Sequence, residues 1–99
     1  AWSKIKNKKQ IYIRELSYIT GNNKILTHSL VCDIQKSKID KIIKIWDLKF
    51  NVAEFEENCF NNSFKFKNTY NVDSQDIVRR STQYHSNTLG YILTERLDR

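Results

Sequence analysis

At 99 residues the chain has room for one small domain with a modest core and none for a second. No apolar run approaches the roughly 20 residues that span a bilayer, and the basic start from Ala1 to Lys9 lacks the apolar stretch of a signal peptide. The formal charge of +6 invites a nucleic-acid partner, but the lysines are scattered apart from Lys4, Lys6, Lys8 and Lys9, so nucleic acid is disfavoured. Richness in Ile, Lys and Asn with no proline fits the bias of an AT-rich genome, which raises the charge without an anionic partner. The chain contains no methionine, not even at its start, and is read as a fragment of a longer protein.

Residues 10–20, rich in Ile and Tyr, predict a strand. Gly21-Asn22-Asn23-Lys24 reads as a turn and residues 25–34 as a second strand, together an antiparallel hairpin. Ser37 is a good helix N-cap supported by Asp40. Ile39, Ile42, Ile43, Trp46 and Phe50 then recur at helical spacing, predicting an amphipathic helix over 38–50 packed on the sheet. Residues 52–60 predict a short second helix closed by Asn61-Asn62. Phe64, Phe66, Tyr70 and Val72 read as a strand with lysines turned to solvent, a reading preferred over base stacking by Phe64 and Phe66. From Asp73 onward, a long helix capped by Asp73 and Asp76 competes with a hairpin of about 76–85 and 89–98 around Ser86-Asn87-Thr88. Turn chemistry favours the hairpin. The sum is an α+β domain: an antiparallel sheet of about five strands with helices packed on one side.

Cys32 and Cys59 stand in neither CxxC nor CxxH contexts, and His28 and His85 are isolated, so no metal-site spacing is present. Two buried free thiols in a reducing compartment are expected over a disulfide. Two charges break the alternation of their strands. Arg14 shares a row with Tyr12, Leu16 and Tyr18, and Glu95 shares one with Tyr91, Leu93 and Leu97. A charge among apolar neighbours needs a partner or a ligand. Arg14 and Glu95 therefore read either as an ion pair joining two strands or as the two ends of a small polar site.

Three segments resemble the chorismate lyase family. They are Tyr12-Ile13-Arg14-Glu15-Leu16, Thr27-His28-Ser29-Leu30-Val31, and Val78-Arg79-Arg80-Ser81 followed by Ile92-Leu93-Thr94-Glu95, spanning roughly residues 10–97. The resemblance implies a single chorismate lyase-like domain over 1–99, the C-terminal two-thirds of such a protein. The family's Pro-Leu-Gly turn would correspond to Asn51-Val52-Ala53. The implied activity removes pyruvate from chorismate to give 4-hydroxybenzoate with no metal or organic cofactor. Arg14 would hold the ring carboxylate, Glu95 would hydrogen-bond the ring oxygen, and backbone N–H groups at Val52 and Ala53 would assist, with His28 near the pocket. Of Arg79 and Arg80, alternation lets at most one face inward. The implied partner is an aromatic carboxylate bound by a monomer, in a plastid stroma or bacterial cytoplasm. Two alternatives stand beside the enzyme: a non-catalytic small-molecule-binding module on the same fold, and a basic nucleic-acid or assembly protein.

Overall fold

The computed structural model describes residues 2–6, 8–86 and 90–97. After a 3₁₀ turn at Trp2–Lys4 come six strands: β1 (Gln10–Ile19), β2 (Ile25–Ile45), β3 (Leu48–Phe60), β4 (Lys65–Asp73), β5 (Val78–Ser86) and β6 (Gly90–Glu95). They form one antiparallel sheet in chain order, β1 to β6, each strand paired with its sequence neighbours. Short connections make this meander the natural arrangement.

The β1–β2 hairpin pairs from Gln10↔Ile34 to Ile19↔Ile25 around the expected turn, and β5 pairs with β6 as a hairpin. The connection at 87–89, where the sequence placed that hairpin's turn, lies outside the described residues. The two helices do not form. Among the described residues there is no α-helix, so the domain is all-β and the α+β expectation is corrected. Residues 38–50 continue β2, turn at Trp46-Asp47, and enter β3; residues 52–60 complete β3. The helical spacing of Ile39, Ile42, Ile43, Trp46 and Phe50 has another cause. Register shifts between Lys36 and Lys38, and between Lys38 and Lys41, insert extra residues into β2, with Asp40 in the left-handed region at φ 53°. Each bulge resets the alternation of faces, so a two-residue period looks like a mixed one. The content is β-branched and aromatic, which suits a pleated strand.

Residues paired across strands share a face, which assigns the side chains. One face carries Tyr12, Arg14 and Leu16 from β1, Leu30 and Cys32 from β2, Phe55, Glu57 and Cys59 from β3, and Phe66, Asn68 and Tyr70 from β4. Cys32 and Cys59, directly opposite each other, are joined in a disulfide rather than left as free thiols. Around them Leu30 and Phe66 are buried, with Tyr12, Leu16, Phe64 and Tyr84 packed alongside. We call this the disulfide face.

The reverse face is open at that end: Ile13, Val31 and Phe60 lie in one cross-strand row and are exposed. Past the bulges the reverse face closes instead. Ile43, Ile45 and Val52 are buried there with Phe50 against them. A flat single sheet could not bury residues on both faces. The Arg80 guanidinium donates to the Lys44 carbonyl at 2.9 Å, so the end of the β2–β3 hairpin folds back over β5. The sheet thus holds two cores, on opposite faces and toward opposite ends. No helix among the described residues is long and apolar enough to cross a membrane.

Candidate functional site

The densest polar cluster lies on the disulfide face. Glu57, 5 % exposed, projects from β3 beside the disulfide, with Asn68 of β4 directly opposite. A carboxylate buried this far needs donors. Its Oε1 accepts three: Asn68 Nδ2 at 2.8 Å, Tyr70 Oη at 3.2 Å and Arg14 Nη1 at 3.3 Å. Arg14 reaches it from β1 across β2, and its side chain remains 39 % exposed. Asn68 uses its other end as well. Where the β4–β5 ladder ends at Thr69↔Thr82, Asn68 Oδ1 accepts the Tyr84 backbone N–H at 2.7 Å.

Aromatic rings adjoin this cluster. The Trp2 ring packs on both Phe55 and Tyr70, with centroids 5.1 and 5.0 Å away. Burial, and after it the charge and hydrogen bond of Glu57, push the Tyr70 hydroxyl up to about 12, so it stays a donor. Beside Trp2 and Phe55 a cavity of about 180 Å³ is lined also by Lys36, Asp73 and Asp76 among others. The Lys36 ammonium lies 5.8 Å from the Phe55 ring centroid. Phe55, Glu57 and Asn68 are buried, so what reaches the surface here is the Trp2 and Tyr70 rings and the Arg14 guanidinium, each partly exposed.

The reverse face carries further ion pairs. Arg79, 5 % exposed, donates through Nε to Asp73 at 2.8 Å and through Nη1 to the carbonyls of Arg96 and Leu97, and lies over the Phe50 ring. Burial raises the Asp73 carboxyl, but hydrogen bonds from Arg79 and from the Ile77 and Gln75 amides outweigh it, and the net shift is downward. Glu54 behaves likewise: burial raises it, while Lys41 at 2.7 Å, then Lys38 and Ser37, bring it below the usual carboxylate value.

Arg14 and Glu95 are not brought together. Arg14 is on the disulfide face with Glu57, whereas Glu95 is on the reverse face, opposite Arg80 and bonded to it at 2.7 Å. Val52 is buried in the reverse-face core, Ala53 sits on the disulfide face opposite Val72, and His28 packs edge-on against Phe64. These five residues do not line one cavity. Cys32, Cys59 and Glu57 place their ligand-type atoms within 4.8 Å of one another, but the sulfurs are joined to each other and offer no thiolate.

Sequence reasoning missed Glu57, Asn68, Tyr70 and Trp2. The signal was there for three of them. Phe55-x-Glu57-x-Cys59 and Phe66-x-Asn68-x-Tyr70 alternate as Tyr12-x-Arg14-x-Leu16 does, and reading 52–60 as a strand would have flagged Glu57 by the rule that flagged Arg14.

An all-antiparallel sheet, stapled across neighbouring strands by a disulfide and carrying a polar cluster among aromatic rings, defines a disulfide-bridged all-β domain of the kind that persists in oxidising compartments. Residues 2–97 match the family model described as "Group 4 capsule polysaccharide lipoprotein gfcB, YjbF", and the chain belongs to that family. This overturns the chorismate lyase resemblance, and with it the lyase activity, the small-molecule-module alternative and the plastid or cytoplasmic address. The three short motifs that carried the resemblance are ordinary strand sequences here, and the family spans the whole region they occupied. No curated protein and no solved structure matches the chain.

Proposed function

We propose that this chain is the binding domain of an envelope lipoprotein that holds a stretch of anionic capsular polysaccharide on its disulfide face. One observation carries the reading: the partly exposed Trp2 and Tyr70 rings lie beside the partly exposed Arg14 guanidinium, with the buried Glu57 carboxylate bonded to both Tyr70 and Arg14 beneath them. Sugar rings present apolar C–H faces ringed by hydroxyls, which call for flat aromatic surface beside fixed donors and acceptors. Arg14 retains exposed guanidinium for a sugar carboxylate. Two observations support the envelope address: a disulfide needs an oxidising compartment, and the family is one of capsule polysaccharide lipoproteins.

The test is an NMR titration with uronic-acid-containing oligosaccharides, with dextran fragments of equal length as the neutral control. Shifts are expected at Trp2, Tyr70 and Arg14, with a weak affinity of about millimolar order. Arg14→Ala should weaken binding roughly tenfold, equivalent to about 1.4 kcal/mol. Equal binding of dextran, or binding that Arg14→Ala and Trp2→Ala both leave intact, would overturn the assignment.

A further inference from the structure

The tip of the β2–β3 hairpin is built against its own stability. Its two-residue loop begins with Trp46 in the left-handed region at φ 55°, a conformation that a bulky L residue rarely adopts. Its ring is not tucked away to compensate, since Trp46 is 82 % exposed. Two pairs back from the loop, Ile45 faces Leu48 and Lys44 faces Lys49. Like charges directly opposite each other weaken a strand pair, and among the described residues neither lysine has an ion-pair partner. Asp47, in the loop itself, pairs with neither of them. Leu48 and Ile42 beside them are exposed as well.

The tip is also held still. Arg80, fixed by Glu95, donates to the Lys44 carbonyl, and the buried pair Ile43 and Ile45 anchors the hairpin just below. Strain, exposure and like-charge juxtaposition on an anchored tip make sense together if the tip is completed by something outside the chain. That partner must accept an indole and two aliphatic side chains while neutralising paired ammonium groups.

We infer that the Trp46 hairpin tip docks on an anionic bilayer surface, the indole at the headgroup–acyl boundary and Lys44 and Lys49 on lipid phosphates. Tryptophan and lysine each favour that boundary: the indole has an apolar body and a polar N–H, and the lysine stem lies in apolar surroundings while its charge stays in water. A basic residue near an anionic leaflet strengthens association about fivefold. By register Lys44 and Lys49 share the disulfide face, but they lie at the loop end of the β2–β3 hairpin, past the bulges from Cys32 and Cys59, and the contact does not depend on glycan binding.

The test is flotation of the whole chain with vesicles of phosphatidylcholine containing about 30 % phosphatidylglycerol, against pure phosphatidylcholine, an anionic-surface contrast of the kind to which basic residues respond. Binding to the anionic vesicles alone is expected, with Trp46 emission quenched by brominated acyl chains in a Trp2→Phe background. Lys44→Gln with Lys49→Gln should weaken vesicle binding roughly 25-fold, the product of two such lysine contributions. Trp46→Gly should raise the melting temperature by relieving the strained backbone while lowering vesicle binding, a pairing that a purely structural role would not produce. Binding that these variants leave unchanged would overturn the proposal, as would equal binding to both vesicles or none. Quenching of Trp46 by soluble acidic oligosaccharide, or its burial in a dimer seen by sedimentation, would reassign the tip to glycan or to a second copy and equally overturn it.

Discussion

The two cores of this sheet meet the same demand with different chemistry. On the disulfide face, Leu30 and Phe66 pack around a covalent staple, and the buried carboxylate, Glu57, is satisfied mainly by neutral donors. Its one cationic partner, Arg14, makes a single 3.3 Å contact and stays partly in solvent. On the reverse face there is no staple. Arg79 is fully enclosed and donates to a carboxylate and to two carbonyls. The contrast separates an arginine that can still take a ligand from one committed to the fold. Burial together with a carboxylate and two carbonyl acceptors, rather than charge as such, marks the structural arginine.

The largest effect should come from breaking the saturated end. Asp73→Ala would strand the buried Arg79 cation and remove the acceptor for the Gln75 and Ile77 amides in the β4–β5 turn. Loss of one partner of a buried pair costs about 3–5 kcal/mol. For a domain of this size the melting temperature would then fall by roughly 20 °C, read by thermal circular dichroism. The pH dependence should agree. Asp73 and Glu54 both titrate below their usual values, so the stability they confer is present above about pH 4.5 and is lost as the pH falls through their folded values. A mild effect of Asp73→Ala would mean that Arg79 finds water or another acceptor and that this end is less closed than its geometry indicates.

Removing the staple should come next. Cys32 and Cys59 are 27 residues apart, and opening a loop of that size costs about 3.5 kcal/mol. The double change to alanine should lower the melting temperature by about 15 °C. Where the loss appears decides whether the cores are separate. Hydrogen exchange should quicken in β1 and in the strand segments around Cys32, Cys59 and Phe66, while amides of the distal hairpin near Ile43 and Val52 keep their protection. Uniform loss would show one cooperative unit and dissolve the comparison.

How much of this was legible follows from the same two regions. The β1–β2 hairpin was readable because its alternation is uninterrupted and its turn is rich in Gly and Asn. Beyond Lys36 the bulges change the face on which each residue falls, and the apparent helix over 38–50 is the trace they leave. That misreading hid the disulfide too, since Cys59 is placed opposite Cys32 only once 52–60 is a strand. Arg14 meets Glu57, which lies in the segment whose strand character the sequence disguises. Glu95 also breaks the alternation of its strand, with less meaning. β6 pairs on one side only, so Tyr91 and Leu93 beside Glu95 are exposed and their alternation does not signal a buried face. The family itself left no motif that composition or spacing could have singled out.

The smallest effect is also the sharpest test of the disulfide face, because it reads one hydroxyl. Tyr70 should ionise at about 12, raised first by burial and then by Glu57. A folded value above the ordinary 10 means that its contribution to stability is intact below pH 10 and is lost as the pH climbs through 12. The disulfide face should therefore yield to alkali where the reverse face yields to acid. Glu57→Gln removes the charge and keeps the shape. A spectrophotometric titration of the phenolate should then show Tyr70 moving back toward 10 without reaching it, because burial is the larger cause and remains. An unmoved Tyr70 would show that Glu57 does not bear on it and that the network is not the unit described. A Tyr70 restored fully to its ordinary value would show that the Trp2 ring does not shield it, and would remove the aromatic half of the proposed glycan site.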